Sequence, residues 1–333
     1  MDGDMSGRPA RSEVDYSVMD AEEPLAITAH DLRMSYGARE VIHGISLSVK
    51  VGEIFGFLGP NGAGKTTTVE LLEGFRKRTG GQVLVLGVDP EKANRHWRAK
   101  VGVVLQNSEP ELGLTVKETL EMYAGFYEDS MATSEILSLT GLTDAARTRN
   151  QLLSGGQQRR LDVALALIGK PDLLFLDEPT TGFDPAARRA AWEIILHLKH
   201  LGKTIFLTSH YLDEIEFLAD RIVVINDGSI VAEGTPATLG GRDSFPTRIS
   251  FRMSGNPDLS TLRAALSTSI TVERNGSVTL YSQEPLRTVS ELYEWVSKGH
   301  FTLQELVVRQ PTLEDTYLEL TRRDKSDADE VSD

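Results

Sequence analysis

The segment from Gly59 to Thr66 combines glycines with a lysine and a hydroxyl residue at fixed spacing. It reads Gly-Pro-Asn-Gly-Ala-Gly-Lys-Thr and fits the pattern G-x-x-x-x-G-K-[ST]. Glycines let the backbone turn tightly, so that its N–H groups can point at phosphate oxygens. In such a loop Lys65 would reach the β- and γ-phosphates of a nucleotide, Thr66 would bind Mg²⁺, and Thr67 would bond the α-phosphate. The predicted phosphate ligands are Gly59, Pro60, Asn61, Gly62, Ala63, Gly64, Lys65, Thr66 and Thr67.

Two adjacent carboxylates, Asp177 and Glu178, follow an apolar run of strand length, Leu173 to Leu176. Ligands bind at the carboxyl ends of strands in open α/β sheets. Asp177 could hold Mg²⁺ directly or through water, and Glu178 could orient and deprotonate the water that attacks the γ-phosphate. Alone, such a pair is most often only a polar strand end. The phosphate loop in the same chain favours the catalytic interpretation.

A second glycine-rich segment, Leu153 to Gln157, precedes an apolar helical stretch from Leu161 to Ile168. Ser154 could cap that helix, and the glycines that follow would leave its first N–H groups bare. A helix N-terminus of this kind attracts anions, although an ordinary capped helix has the same pattern. The chain therefore carries two candidate anion sites, and this duplication needs an explanation.

The order of these motifs resembles that of the nucleotide-binding domain of ABC ATPases, over residues 26 to about 235. Gly59 to Thr66 matches the Walker A loop, and Leu173 to Glu178 matches Walker B with its catalytic glutamate. Leu153 to Gln157 matches the signature motif, which in the family binds the γ-phosphate held by the opposite subunit. The resemblance implies that the signature ligands are Ser154, Gly155, Gly156 and Gln157.

The resemblance also implies roles for four residues whose types alone indicate little. Gln106 matches the Q-loop glutamine, which touches Mg²⁺ or water, and His210 matches the switch histidine, which contacts the γ-phosphate. Asp184 matches the D-loop aspartate, with Phe183 where leucine is usual. Tyr36 lies where the family stacks an aromatic ring on adenine. The implied catalytic residues are Glu178, His210 and Gln106, and the implied metal ligands are Thr66, Gln106 and Asp177.

A dimer would explain the second anion site. In the family, two copies form a head-to-tail sandwich with each ATP between the two subunits. Here ATP would lie between Lys65 of one copy and Ser154 of the other. Because the chain carries one complete motif set, we expect it to pair with itself, with ATP and Mg²⁺ as cofactors.

Composition narrows the class of protein. The chain has 333 residues and a formal net charge of -14, with 40% hydrophobic residues, which is ordinary for a globular protein. The lack of cysteine excludes disulfides, thiolate zinc sites and cysteine nucleophiles. We expect no membrane-spanning helix and no secretory signal, since no apolar run approaches about 18 residues and the start is acidic. The acidic balance argues against general nucleic-acid affinity.

The motifs require elements that place them at one edge of a sheet. Short apolar runs alternate with helical stretches, which predicts an α/β fold with parallel central strands. The resemblance implies a P-loop NTPase with a RecA-like core, an antiparallel β edge and a helical subdomain at about 107–151. The other predicted parts are a disordered acidic arm (1–25), the nucleotide-binding domain (26–240) and a disordered acidic tail (322–333). Between them, a βαββαβ order predicts a small ferredoxin-like α+β domain at 246–321.

The end of that last domain favours a particular role. Pro311 to Thr321 resembles the closing motif of ATP-binding subunits of exporters of the daunorubicin-resistance type. The resemblance implies an ATPase at the cytoplasmic side of the cell membrane, bound to a separate integral membrane permease. A soluble mechanical ABC ATPase acting on ribosomes or DNA is the alternative, but such proteins usually carry two ABC domains or a long coiled-coil insertion. A P-loop kinase or switch is disfavoured by the signature motif and Glu178.

Overall fold

The computed structural model describes residues 24–104, 113–253, 259–266, 270–272, 277–299, 302–310 and 312–317. The predicted acidic tail at 322–333 lies outside these residues, as does nearly all of the predicted arm at 1–25. Gln106 also lies outside them, so its predicted role stays a prediction.

A six-stranded sheet forms the centre of the first part of the chain. Its order is β5-β6-β7-β3-β8-β9, and every neighbouring pair is parallel except the hairpin of β8 and β9. A separate antiparallel sheet has the order β2-β1-β4. The strands are β1 (Leu25–Tyr36), β2 (Arg39–Lys50), β3 (Ile54–Leu58), β4 (Gly80–Val85), β5 (Val101–Val104), β6 (Leu173–Asp177), β7 (Thr204–Ser209), β8 (Arg221–Asn226) and β9 (Ser229–Gly234).

The central strands form because their sequences are apolar on both faces. Every residue of β3, β6 and β7 is buried, as expected for parallel strands covered on both sides. Phe206 packs against Phe55, Phe57 and Phe175, with ring centroids 5.4 to 5.5 Å apart. The predicted α/β fold with a parallel central sheet and an antiparallel edge is confirmed.

Helices cover the central sheet and form a small cluster beside it. The first helix, α1, begins at Lys65 and ends at Leu72, because Gly74 turns the chain with a left-handed φ of 77°. Within the described ranges, no helix is long and apolar enough to cross a bilayer. The helices are α1 (Lys65–Leu72), α2 (Arg95–Ala99), α3 (Val116–Ala124), α4 (Thr133–Leu139), α5 (Gly155–Leu167), α6 (Pro185–His200) and α7 (Leu212–Leu218).

The helical cluster has its own core. Val116 and Leu120 of α3 pack with Ile136 of α4 and Leu161 of α5. Thr115 starts α3 with a capping box, in which its hydroxyl accepts from the N–H of Glu118 and the Glu118 carboxylate accepts from the N–H of Thr115. Helices α3 and α4 lie within the predicted helical subdomain at about 107–151, and α5, which follows that range, joins them to the central sheet.

The last part of the chain forms a four-stranded antiparallel sheet with the order β11-β12-β10-β13. The predicted βαββαβ order is confirmed, and the strand order is that of a ferredoxin-like layer. One face packs under two helices, around Phe251 and Trp295. The elements are β10 (Thr247–Met253), α8 (Leu259–Ala265), β11 (Ile270–Val272), β12 (Ser277–Ser282), α9 (Pro285–Gly299) and β13 (Leu303–Arg309).

After β13 the chain returns to the nucleotide-binding part. Residues 313–317 form a helical turn in which Leu313 is fully buried. Leu313 belongs to the core on the α6 and α7 side of the central sheet, together with Leu239. The closing motif therefore joins the two parts of the chain. The domain boundaries themselves stay a prediction.

Candidate active site

The loop between β3 and α1 requires glycine at two positions where packing or backbone geometry leaves no alternative. A Cβ on Gly59 would lie 2.4 Å from the carbonyl oxygen of Ile225 in β8, which is closer than any atom tolerates. Gly64 has a φ of 103°, and a Cβ there would also strike Ile42 of β2. The loop therefore packs tightly against β8 of the central sheet and β2 of the antiparallel sheet, and these contacts restrict its backbone conformation without a ligand.

The lysine of the loop is held inside it. Lys65 Nζ donates to the carbonyl oxygens of Gly59 and Pro60, at 2.8 and 3.2 Å. Burial lowers the pKa of Lys65, and the charges of Glu178 and Asp177 oppose that shift. The ammonium is therefore held by two loop carbonyls and lies within the electrostatic reach of the two carboxylates, and a bound phosphate would be an additional partner.

The start of α1 is open to an anion. Gly64 is its N-cap and provides no side-chain hydrogen bond, so the N–H groups of the first turn are not capped by a side chain. Thr66 is exposed and Thr67 is half-buried in this first turn. Asn61 and Gly62 are exposed at the crest of the loop, while Ala63 is buried beneath it. The predicted phosphate ligands are thus brought together in one loop.

Asp177 ends β6 inside the site. It is buried, and Thr208 at the end of the neighbouring strand β7 donates a hydrogen bond to its Oδ1. Burial raises the pKa of Asp177, and the Thr208 hydroxyl opposes that shift. The Asp177 carboxylate and the Thr66 hydroxyl are hard oxygen donors of the kind Mg²⁺ prefers. Among the described residues no cluster of three or more His, Asp or Glu could hold a metal, so phosphate oxygens and water would have to complete the shell.

Glu178 follows in a strained conformation. Its φ is 47°, an uncommon value for a residue with a side chain, and its N–H bonds the Thr208 carbonyl at 3.1 Å. Its Oε2 lies 3.2 Å from Nδ1 of His210 and accepts from the Thr181 hydroxyl at 3.2 Å. The structure therefore brings together Glu178 and His210, which the sequence places 32 positions apart.

Arg159, to which sequence reasoning assigned no role, holds this turn in place. From inside α5 its guanidinium donates to the carbonyl oxygens of Asp177 (2.8 Å), Glu178 (3.2 Å) and Pro179 (3.1 Å). It also pairs with Asp162 at 3.5 Å. No local signal in the sequence identifies Arg159, because it stands among polar residues at the start of α5 and its burial arises only from tertiary packing.

The signature segment starts α5 as predicted. Ser154 is the N-cap; its hydroxyl accepts from the N–H of Gln157, and the Gln157 side chain accepts from the N–H of Ser154. Ser154 and Gly155 are exposed, and a Cβ on Gly155 would meet nothing within 4 Å. The prediction of a capped helix is confirmed, and the first turn of that helix faces open space.

Asp184 and Tyr36, two further residues predicted to bind the nucleotide, also make contacts within the chain. Asp184 caps α6, accepting from the N–H groups of Ala186 and Ala187, both at 2.9 Å. Tyr36 ends β1 with 43% of its surface exposed, and the Arg76 guanidinium lies 5.4 Å from its ring centroid. Their contacts to a nucleotide stay predictions.

Glu214 links the segment that follows Glu178 to the segment that follows His210. This buried carboxylate at the start of α7 accepts from the Thr180 hydroxyl at 2.8 Å and from the Trp192 indole N–H at 2.9 Å. Burial raises its pKa, and the hydrogen bonds oppose that shift. Thr180 follows Glu178 in the chain and α7 follows His210, so Glu214 positions the two segments relative to each other.

Glu73 is a buried acid at the end of α1, the helix that follows the phosphate loop. Its Oε1 has no hydrogen-bond partner, and burial raises its pKa from 4.5 to about 8, helped by the charges of Asp177 and Glu70. The folded chain thus keeps this carboxyl protonated at pH values where the unfolded chain has ionised it. The stability that it contributes is full below about pH 4.5 and is lost as the pH rises towards 8.

We expect Glu73→Gln to gain stability relative to the natural chain as the pH rises. The difference in free energy of unfolding should grow between pH 5 and pH 8 by at most about 4 kcal/mol, at about 1.4 kcal/mol for each pKa unit. Urea denaturation of both chains at several pH values measures it. Glu121→Gln, at an exposed helical carboxylate, is the control and should show no such trend. A difference that does not change with pH would contradict the prediction.

Comparison with known proteins gives the same class as the fold and the site, a P-loop ATPase cassette. One solved structure is a dimeric ATP-binding cassette in a post-hydrolysis state, bound to ADP and Pi. It is 25% identical in sequence with a TM-score of 0.57, and the match covers 63% of this chain and 98% of the cassette. The cbiO1 subunit from Clostridium perfringens is 26% identical, with a TM-score of 0.59 over 65% of this chain and 90% of its own.

The sequence relatives cover more of the chain. The family of ABC transporters matches residues 42–181. The linearmycin resistance ATP-binding protein LnrL of Bacillus subtilis is 35% identical over 89% of this chain and 98% of its own. The daunorubicin/doxorubicin resistance ATP-binding protein DrrA of Streptomyces peucetius is 34% identical over 91% of this chain and 94% of its own. A Nod factor export ATP-binding protein I of Burkholderia orbicola is 38% identical over 90% of this chain and 98% of its own. The chain belongs to the ABC transporter ATP-binding proteins and is an ATPase of that family.

Proposed function

We propose that the chain is the ATP-hydrolysing subunit of an ABC exporter. It works at the cytoplasmic side of the cell membrane with a separate integral membrane permease. Relatives named for drug resistance and for export, each matched over about nine tenths of this chain, support export. ABC ATP-binding subunits act on membrane permease subunits and dimerise, so the permease is the expected partner.

The observation that carries the proposal is that one chain holds two different helix starts suited to phosphate. The start of α1 has no side-chain cap and has Lys65, Asp177 and Glu178 beside it. The start of α5 is exposed and carries Ser154, with no acid in its first turn. The two helix starts are complementary halves of one nucleotide site. Two copies arranged head to tail would therefore enclose ATP between Lys65 of one copy and Ser154 of the other.

In this arrangement the residues of one copy perform the hydrolysis. Glu178 takes a proton from water as the water oxygen forms a bond to the γ-phosphorus and the bond to the leaving ADP oxygen breaks. His210, 3.2 Å from the Glu178 carboxylate, orients it and contacts the γ-phosphate. Mg²⁺, when bound through Thr66, Asp177 and Gln106, supplies charge neutralisation. Tyr36 stacks on adenine. Loss of the γ-phosphate then opens the dimer.

The helical cluster offers a surface for the permease. Met122 in the last turn of α3 is 40% exposed, Phe126 in the turn after α3 is 62% exposed, and Leu152 beside the signature is 69% exposed. Exposed apolar side chains mark a protein interface when they form one patch, and we infer that these residues belong to such a patch. Met122 and Phe126 lie within the predicted helical subdomain at about 107–151, which in the family receives a helix of the membrane subunit.

Affinity purification of the tagged chain from its native cells in mild detergent tests the proposal. We expect an integral membrane polypeptide to co-purify in near-equal amount. Phe126→Glu should reduce that amount severalfold, whereas Leu286→Glu, at an 87% exposed site on α9, should not. Recovery with ribosomes or DNA, or without any membrane polypeptide, would contradict transport and leave the ATPase chemistry unaffected.

A further inference from the structure

Tyr211, the residue after His210, contacts a residue of the candidate site on one hand and a cation of α6 on the other. Its ring and the His210 imidazole lie 4.0 Å apart between centroids and are tilted by 40°. The Arg188 guanidinium lies over the Tyr211 ring, with its central carbon 4.0 Å from the centroid. This distance is well inside the range of about 6 Å for a cation–π contact. A chain of contacts therefore runs from α6 through Tyr211 to His210.

Arg188 is fixed by its own helix and by α7. Its backbone N–H donates to the carbonyl oxygen of Asp184 at 3.0 Å, and its Nη1 pairs with Asp213 at 3.2 Å. The Arg188 side chain is only 20% exposed, whereas that of Asp213 is 61% exposed, so the ion pair itself contributes little. The Nε of Arg188 is buried and has no hydrogen-bond partner among the described residues. The Tyr211 ring is therefore the main partner of a guanidinium that is largely removed from water.

The other end of this chain of contacts reaches the candidate general base. Nδ1 of His210 lies 3.2 Å from Oε2 of Glu178, so the imidazole must keep one orientation for this contact to persist. The other ring nitrogen, Nε2, is then the one left for the γ-phosphate. The His210 side chain is 39% exposed, so burial alone does not fix its ring. The packing of Tyr211 against the imidazole supplies the missing restraint.

We propose that Arg188 is a positioning residue for ATP hydrolysis, which fixes the His210 imidazole through the Tyr211 ring. The inference rests on the proposed role of His210 at the γ-phosphate. Loss of Arg188 disturbs the orientation of the base and of the γ-phosphate contact, so it should lower kcat. The phosphate loop is not part of this chain of contacts, so the affinity for ATP should not change.

An NMR signal of the imidazole tests the positioning in the nucleotide-free full chain, without any need for catalysis. The chain has seven histidines, and the signal that is missing from His210→Gln identifies His210. A neighbouring aromatic ring at 4.0 Å shifts that signal. Arg188→Met and Tyr211→Leu should therefore both move it. Arg189→Met, at the next and exposed residue of α6, is the matched control and should leave it in place.

ATP hydrolysis by the same variants tests the consequence. Arg188→Met should lower kcat about tenfold, the size expected for a cation–π contact that is partly removed from water. Tyr211→Leu should cause a similar loss, and the double variant should lose no more than either single one, because both act through the same ring. Arg188→Lys keeps a cation and should recover part of kcat. ATP binding, which also reports that each variant is folded, should be unchanged.

Three results would overturn the proposal. One is a His210 signal that Arg188→Met leaves in place, and another is a double variant in which the two losses multiply. The third is a natural kcat in Arg188→Met. His210→Ala separates the failures: a large loss of kcat there, with a natural kcat in Arg188→Met, overturns only the role of Arg188. An unchanged kcat in His210→Ala overturns the proposed role of His210 as well.

Discussion

Glu178→Gln should abolish steady-state ATP hydrolysis while the chain still binds ATP and collects as a dimer. The amide keeps the shape of the side chain and its contact with His210, 3.2 Å from the natural carboxylate, but it cannot accept the proton of the attacking water. A general base contributes about 10²- to 10⁴-fold, so phosphate release should fall at least about 100-fold. Phosphate release and light scattering after size exclusion, in millimolar ATP and Mg²⁺, measure both effects.

A second substitution shows whether that dimer depends on ATP. Adding Lys65→Ala to Glu178→Gln removes the ammonium that lies in the phosphate loop, so the double variant should stay monomeric at the same nucleotide concentration. A Glu178→Gln chain that remains monomeric in saturating ATP would contradict the head-to-tail dimer. Hydrolysis at a near-natural rate would instead contradict the role of Glu178 as the base.

Arg159→Ala should unfold the chain more easily and also lower its turnover. The substitution removes charged hydrogen bonds to three successive backbone carbonyls and breaks the buried ion pair with Asp162. Losses of this kind cost about 3 kcal/mol in free energy of unfolding. Turnover should fall because the turn that carries Asp177 and Glu178 loses its support. Urea denaturation and ATPase assays of the purified chain measure the two effects.

The neighbouring arginine is a matched control. Arg160 is half-buried and donates to the carbonyls of Gly156 and Gly141, away from the catalytic turn. Arg160→Ala should therefore cost about 1 kcal/mol or less and leave turnover near its natural value. Similar losses in both variants would show that Arg159 acts through general helix stability and has no specific effect on the catalytic turn.

Local patterns in the sequence predicted the elements that depend on neighbours in the chain. The phosphate loop, the cap at Ser154 and the strand before Asp177 each arise from a few consecutive residues, and the structure has all of them. The end of α1 at Leu72 depends on one residue, because Gly74 turns the chain just after the helix. Single residues determine where a helix or strand ends more than the periodicity of its apolar residues does.

The contacts that assemble the site could not be predicted in the same way. Arg159 reaches the Asp177 carbonyl across 18 positions of sequence, and Thr208 reaches the Asp177 carboxylate across 31. Both contacts depend on which strand lies next to which and on the face from which α5 approaches. The burial of the Glu73 carboxyl and the position of β13 at the edge of its four-stranded sheet likewise exist only once the elements are packed.

The sequence by itself determined the chemistry of this protein, because a phosphate loop, a carboxylate pair and a capped helix start are local arrangements with recognisable spacing. Only the tertiary structure decided how these groups cooperate. It placed His210 against Glu178, anchored the catalytic turn on Arg159, and left β13 exposed at the edge of its sheet. The physical reason is that burial, electrostatic neighbours and free strand edges arise from contacts between distant segments, which spacing along one chain does not encode.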